Sequence, residues 1–159
     1  MPNRAVKTNA MRILDSLGIT YGVYTYQWDE EHLNAEHVAV LLNLPPETVC
    51  KTIVMRDDKN GIHVFVVPAP YEISYKKARA VTQSNEIQLV KTDELRTLTG
   101  YVRGGCSPLG MIKVYPVYIE ETVQLQPTIC ISAGLRGWQL QISSIDLARA
   151  TGGKFVDIV

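Results

Sequence analysis

The sequence predicts one mixed α/β domain over residues 1–159, built on a largely antiparallel, curled sheet. Apolar residues recur at helical spacing in some segments and form short β-branched or aromatic runs in others, and the two kinds alternate along the chain. Asn60-Gly61, set between two apolar runs, is the strongest hairpin signal present. No internal repeat, low-complexity tract or linker divides the 159 residues, a length that can bury a substantial core without disulfides or metals.

Each element has a local reason. From Ala5 to Leu17, the residues Ala5, Met11, Ile13, Leu14 and Leu17 sit at roughly helical spacing, and Gly18 provides a stop. Thr20 to Tyr26 is β-branched and aromatic and reads as a strand. Asn34 caps a helix through Leu42 that cannot continue past Pro45-Pro46. Thr52–Met55 and Ile62–Val67 form the two arms of the hairpin around Asp57–Gly61. Ser74 to Val81 reads as helix and Ile87 to Val90 as extended chain. Thr92 is expected to cap a short helix with Asp93 and Glu94 in its first turn. Val114–Ile119, Thr128–Ile131 and Gln139–Ile142 read as strands. Ser143, three residues before Asp146, opens a last helix closed by Gly152-Gly153, and Phe155–Ile158 ends the chain as a short strand.

Composition excludes several classes of function. Hydrophobic content of 46% and charged content of 20% are those of a soluble globular protein, and the longest apolar runs cannot span a bilayer. The start, Met1 to Lys7, carries no apolar export segment, so a cytoplasmic protein is expected. Cys50, Cys106 and Cys130 are odd in number and far apart, as expected of reduced thiols and not of a disulfide frame or zinc site. His32, His37 and His63 make no metalloprotease pattern, and neither a metal nor a cofactor is expected. The formal net charge is zero, which argues against gripping nucleic acid through bulk electrostatics. Acids nonetheless dominate between Asp15 and Asn60, and Lys76, Lys77, Arg79, Lys91, Arg96, Arg103 and Lys113 dominate between Ser74 and Tyr115. A polarised molecule and two unrelated solvated faces fit this equally.

Gly100-Tyr101-Val102-Arg103-Gly104-Gly105-Cys106-Ser107-Pro108-Leu109-Gly110 is the most informative stretch. Its glycines allow close approach of a ligand to bare backbone, Pro108 restricts its own φ and Ser107, and amide N–H groups left out of a ladder can meet an anion or carbonyl oxygen. Ser132-Ala133-Gly134-Leu135-Arg136-Gly137 repeats the pattern of a glycine loop with one arginine. Such loops also serve as plain turns between strands. Lys51, beside the Thr52 hydroxyl at the start of an apolar strand, is either a solvated cation or a fixed charge for a phosphate or developing oxyanion. No Ser-His-Asp or Cys-His set can be assembled, because all three histidines precede residue 64. Cys50 and Cys106 are small buried thiols or, for Cys106, a nucleophile.

Val49–Val54, Gly100–Gly110 and Ser132–Gly137, in that order and with an opening helix and Thr25-Tyr26, resemble the YbaK/EbsC-type aminoacyl-tRNA deacylases. These are similar to the editing domain of bacterial prolyl-tRNA synthetases, and the resemblance runs from about Ala5 to Ile158. It implies a compact α/β fold around a mixed barrel-like sheet flanked by helices. It also implies hydrolytic removal of a wrong amino acid from tRNA, most typically cysteine from tRNA(Pro), without a cofactor. By position, Lys51 matches the family's essential lysine, Thr52 its neighbour and Tyr26 a pocket tyrosine. Gly104 to Pro108 matches the loop at the scissile ester, where Gly104 and Gly105 are expected to serve catalysis through backbone N–H groups. Gly100, Tyr101, Arg103, Cys106, Ser107, Pro108, Ser132, Gly134, Arg136 and Gln139 are expected to bind substrate. Trp138-Gln139 departs from the aliphatic–acid pair of many cysteine-editing members. The implied partners are the 3′ end of an aminoacyl-tRNA and prolyl-tRNA synthetase, with no membrane, and the chain is expected to be a monomer or weak homodimer. The alternative is a non-catalytic module holding a tRNA end or nucleotide beside a synthetase.

Overall fold

The computed structural model describes residues 6–159. Helix α1 is Asn9–Ser16, capped by the Thr8 hydroxyl, so Ala5, the first apolar position of the expected helix, lies outside the described residues. Strand β1 (Gly22–Thr25) and helix α2 (Ala35–Leu42) follow, with Asn34 Oδ1 accepting from the His37 N–H at 2.8 Å as its expected cap. Strands β2 (Cys50–Asp57) and β3 (Ile62–Pro68) form the long hairpin. Asp57 organises its turn by accepting from the N–H groups of Lys59 and Gly61, both at 2.8 Å, while Asn60 takes φ +65°.

Helix α3 is Tyr75–Thr82, β4 is Ile87–Leu89 and α4 is Thr92–Thr99. Thr92 is the first residue of α4, not its cap; Lys91 holds the cap position and makes no side-chain hydrogen bond there. The acids Asp93 and Glu94 still occupy the first turn, where they complement the helix dipole. Strand β5 is Val117–Glu120, shorter than expected at its start, and β6 is Ile129–Ser132. Strand β7 is Trp138–Ile142, α5 is Ser144–Thr151, and β8 is Lys154–Val156. Ser143 caps α5 through the Asp146 N–H at 3.1 Å, and Gly152 closes it at φ +70°.

Two sheets carry these strands, ordered β1-β7-β6 and β4-β2-β3-β5-β8. Four pairings are antiparallel, whereas β3–β5 and β5–β8 are parallel, so the sheet system is mixed and largely antiparallel. This is the mixed, barrel-like arrangement expected, although among the described residues the sheets do not close into a barrel. A single parallel bridge, Val49 to Cys130, links the two sheets at the start of β2, leaving a seam there.

β3 explains its own apolar run. Val64 and Val66 enter a core with Leu14, Ile119, Leu140 and Leu147, while Phe65 and Val67 enter a second core with Met55, Ile73 and Ala78. A strand buried on both faces needs no polar alternation. A third cluster, Val38, Ala39, Val49 and Cys130, lies under α2, and a fourth joins Val54, Tyr101 and Cys106. Among the described residues no helix is long and apolar enough to cross a membrane.

Candidate active site

The seam opens into a pocket of ≈ 250 Å³. One wall is the start of β2, with Cys50, Lys51, Thr52 and Ile53. A second is the entry to α2, with Leu33, Asn34, Ala35 and Val38. Tyr26, just past β1, closes one end, Arg103, Gly104 and Cys106 the other, and Ser132 and Gln139 come from β6 and β7. Elements 113 residues apart in sequence therefore meet at one hollow, because β6 lies between the β1–β7 pair and the Val49–Cys130 bridge.

Lys51 Nζ lies 3.4 Å from the Ala69 carbonyl oxygen and 3.8 Å from Glu72 Oε1. The Lys51 side chain is 26% exposed and that of Glu72 91%, so water screens this pair. Gln139 is only 5% exposed, and its Oε1 has no hydrogen-bond partner among the described residues. A buried carboxamide oxygen without a partner costs stability.

The first glycine loop divides its amides. The Gly105 N–H donates to the Val102 carbonyl at 2.9 Å, which closes a turn and removes the donor expected to serve catalysis. The N–H groups of Gly104 and Cys106, both on the pocket wall, have no partner among the described residues. Gly104 holds φ +85°, and a Cβ there would stand 2.8 Å from Leu33 Cδ2, so a side chain is both strained and crowded. The Cys106 thiol is buried and pushed up to about 12, chiefly by that burial, while Cys50 is likewise raised by burial and Cys130 is pushed up to about 11. Thiols so protonated at neutral pH are poor nucleophiles.

Seven of the expected binding or catalytic residues lie outside the pocket wall. Gly100 is the left-handed cap of α4, and Ser107 Oγ accepts from the Leu109 N–H at 3.2 Å in the interior. Pro108 lines a separate recess with Ile13 and Tyr115. Tyr101 donates its hydroxyl proton to the Leu109 carbonyl. Gly105 abuts the backbone of Leu135 and Arg136, where a Cβ would lie 3.3 and 3.1 Å away. Gly134 holds φ +100° against the Tyr101 ring, and Arg136 Nε donates to the Arg103 carbonyl at 2.8 Å. The second loop thus braces the first.

Sequence reasoning missed Leu33, Asn34, Ala35 and Val38 as pocket wall; only the Asn34 cap signal marked where that helix begins. It also missed Asp29, His32 and His37, whose ligand-type atoms lie within 4.8 Å of one another on the surface before and at the start of α2. They form a group that could hold a metal ion, beside the pocket and not in it.

The aminoacyl-tRNA editing domain family matches residues 29–150, which include every pocket-lining residue except Tyr26. The chain belongs to that family. It is 37% identical over 152 residues to the Enterococcus faecalis protein named "Putative Cys-tRNA(Pro)/Cys-tRNA(Cys) deacylase EbsC", covering 96% of this chain and 93% of that one. A proline–tRNA ligase of Lactobacillus gasseri is 25% identical over 111 residues, 70% of this chain but 20% of the ligase. The fold is shared with a crystal structure described as "a putative trans-editing enzyme for prolyl tRNA synthetase", at TM-score 0.79 and 19% identity, covering 97% of this chain and 98% of that one.

Proposed function

We propose that this editing-domain protein removes a mischarged amino acid, most typically cysteine, from tRNA(Pro), using Lys51 and backbone amides in place of a protein nucleophile. The supporting observation is the pocket itself. A screened cation, two unpartnered N–H groups and a buried polar acceptor share one ≈ 250 Å³ hollow in which every available thiol is held protonated.

An aminoacyl ester is already activated, so the site needs only to orient it and stabilise charge on its carbonyl oxygen. The Gly104 and Cys106 N–H groups are the oxyanion donors in this reading. Gly105 moves from donor to brace. Lys51 holds the phosphate of the terminal adenosine or the carbonyl oxygen itself. Gln139 Oε1 accepts from the substrate's ammonium group, a neutral acceptor where many cysteine-editing relatives carry an acid. Tyr26, Thr52 and Ser132 shape the remaining walls.

For a cysteinyl ester the substrate's own thiol supplies the nucleophile. Its sulfur bonds to the carbonyl carbon, the ester C–O bond breaks, the thiol proton ends on the ribose oxygen, and cysteine leaves as a cyclic thioester. Seryl ester has nearly the same shape but no comparable nucleophile at neutral pH. Zero net charge and the likeness to a ligase segment support work in the cytoplasm beside prolyl-tRNA synthetase, which would supply most of the grip on tRNA.

Single-turnover deacylation of cysteinyl-, seryl- and alanyl-tRNA(Pro) tests this. Thiol assistance predicts a preference for cysteine over serine above about a hundredfold, more than pocket shape alone gives near-isosteres. Equal rates for the two would rule out the thiol step and point to an activated water.

A further inference from the structure

A second hollow lies against the first. It is a cleft of ≈ 450 Å³ whose walls include Trp28, Arg136, Trp138 and Tyr26, and Tyr26 also lines the pocket described above. The Arg136 guanidinium carbon stands 5.0 Å from the Trp28 ring centroid, a cation–π stack. Its Nε is tied to the Arg103 carbonyl at 2.8 Å, which orients the plane, and its other nitrogens have no partner among the described residues. Nor does any carboxylate among those residues pair with Arg136 or Arg103. Close packing holds the pair in place, since a Cβ on Gly137 would lie 2.9 Å from both Trp28 Cδ1 and the Tyr26 carbonyl oxygen. Trp28 nevertheless remains 42% exposed.

An exposed indole stacked with an unneutralised guanidinium combines a π surface with anion donors. Unpaired nucleotides are recognised by that combination, the base by stacking and the phosphate by the charge. We propose that this cleft seats an unpaired nucleotide of the tRNA acceptor end, immediately before the terminal adenosine whose aminoacyl group occupies the adjoining pocket. This rests on the deacylase reading for the identity of the nucleic acid. The shared wall at Tyr26 places the two subsites next to each other, and Arg103 lines the pocket while holding Arg136 at the cleft. A neutral protein thereby gains local grip on an RNA end without a basic surface.

Calorimetric titration with the uncharged trinucleotide 5′-CCA-3′ and with adenosine tests the cleft without any hydrolysis. The trinucleotide should bind the native protein more tightly than adenosine does, and Trp28→Ala should weaken trinucleotide binding about tenfold with adenosine unchanged. Trp28→Phe, which keeps a stacking face, should recover most of the loss. Proton NMR of the native complex should show contacts between the Trp28 indole and a cytosine ring, a readout that stands even if Trp28→Ala does not fold. Trinucleotide binding no tighter than that of adenosine, equal trinucleotide affinity for native and Trp28→Ala proteins, or no indole–cytosine contact overturns the proposal. Trp28-dependent binding without deacylation of any mischarged tRNA would sink the enzymatic reading and leave the cleft standing; deacylation without that dependence would do the reverse.

Discussion

The two glycine loops look alike in sequence and do different work. Residues 100–110 leave the Gly104 and Cys106 amides without partners at the pocket wall. In residues 132–137 Gly134 N–H donates to Ser132 Oγ at 3.1 Å and Ala133 N–H to the Trp138 carbonyl at 3.1 Å, and Leu135, Arg136 and Gly137, whose N–H groups have no partner among the described residues, do not line the pocket. The second loop offers its backbone as a floor for Gly105 and its arginine as a strut to Arg103. In the proposed reading Gly104 serves approach of a ligand, whereas Gly105 and Gly134 serve close packing of one chain segment on another. Composition cannot separate these uses; what each glycine faces in space does.

Substitutions should separate the loops by what they damage. Gly104→Val should have the largest effect, lowering single-turnover deacylation on the order of a hundredfold on top of a stability cost of about 1–3 kcal/mol, because φ +85° and Leu33 oppose a side chain where the ester approaches. A variant with near-native turnover would break the assignment of this loop to catalysis. Gly105→Ala should act on stability first: its Cβ presses on the Leu135–Arg136 backbone, costing about 1–3 kcal/mol in denaturant unfolding, with a secondary activity loss. Gly134→Ala, strained at φ +100° beneath Tyr101, should cost about 1–3 kcal/mol as well but spare turnover more than Gly104→Val does. Cys106→Ser should change the rate least, within a few-fold, since the wall uses its amide and its thiol is held protonated. A loss of several orders of magnitude there would restore the thiol as nucleophile.

Most of the fold was legible because its signals are local. Asn34 and Ser143 announced their helices through side-chain caps that the structure contains, and Asp57–Gly61 announced the hairpin. Thr92 misled because its neighbour Lys91 takes the cap without a side-chain bond, so acids in the first turn were the better guide. How the two sheets meet was not legible, as among the described residues it rests on the long-range bridge between Val49 and Cys130. Lys51, Thr52, Tyr26 and Gln139 line one pocket, but the commitment of the Gly105 amide to Val102 is a turn geometry that glycine content does not encode. The Trp28–Arg136 stack joins residues 108 positions apart and leaves no mark in either segment alone.

Lys51 tests the central claim most directly, since the proposed reading gives its charge to the ester or phosphate and only an exposed Glu72 competes for it. Single-turnover deacylation of cysteinyl-tRNA(Pro) should fall by on the order of a hundredfold or more in Lys51→Ala, with unfolding stability close to native because its ion pair with Glu72 is screened. A Lys51→Ala protein that clears cysteine within a few-fold of the native rate would contradict the account.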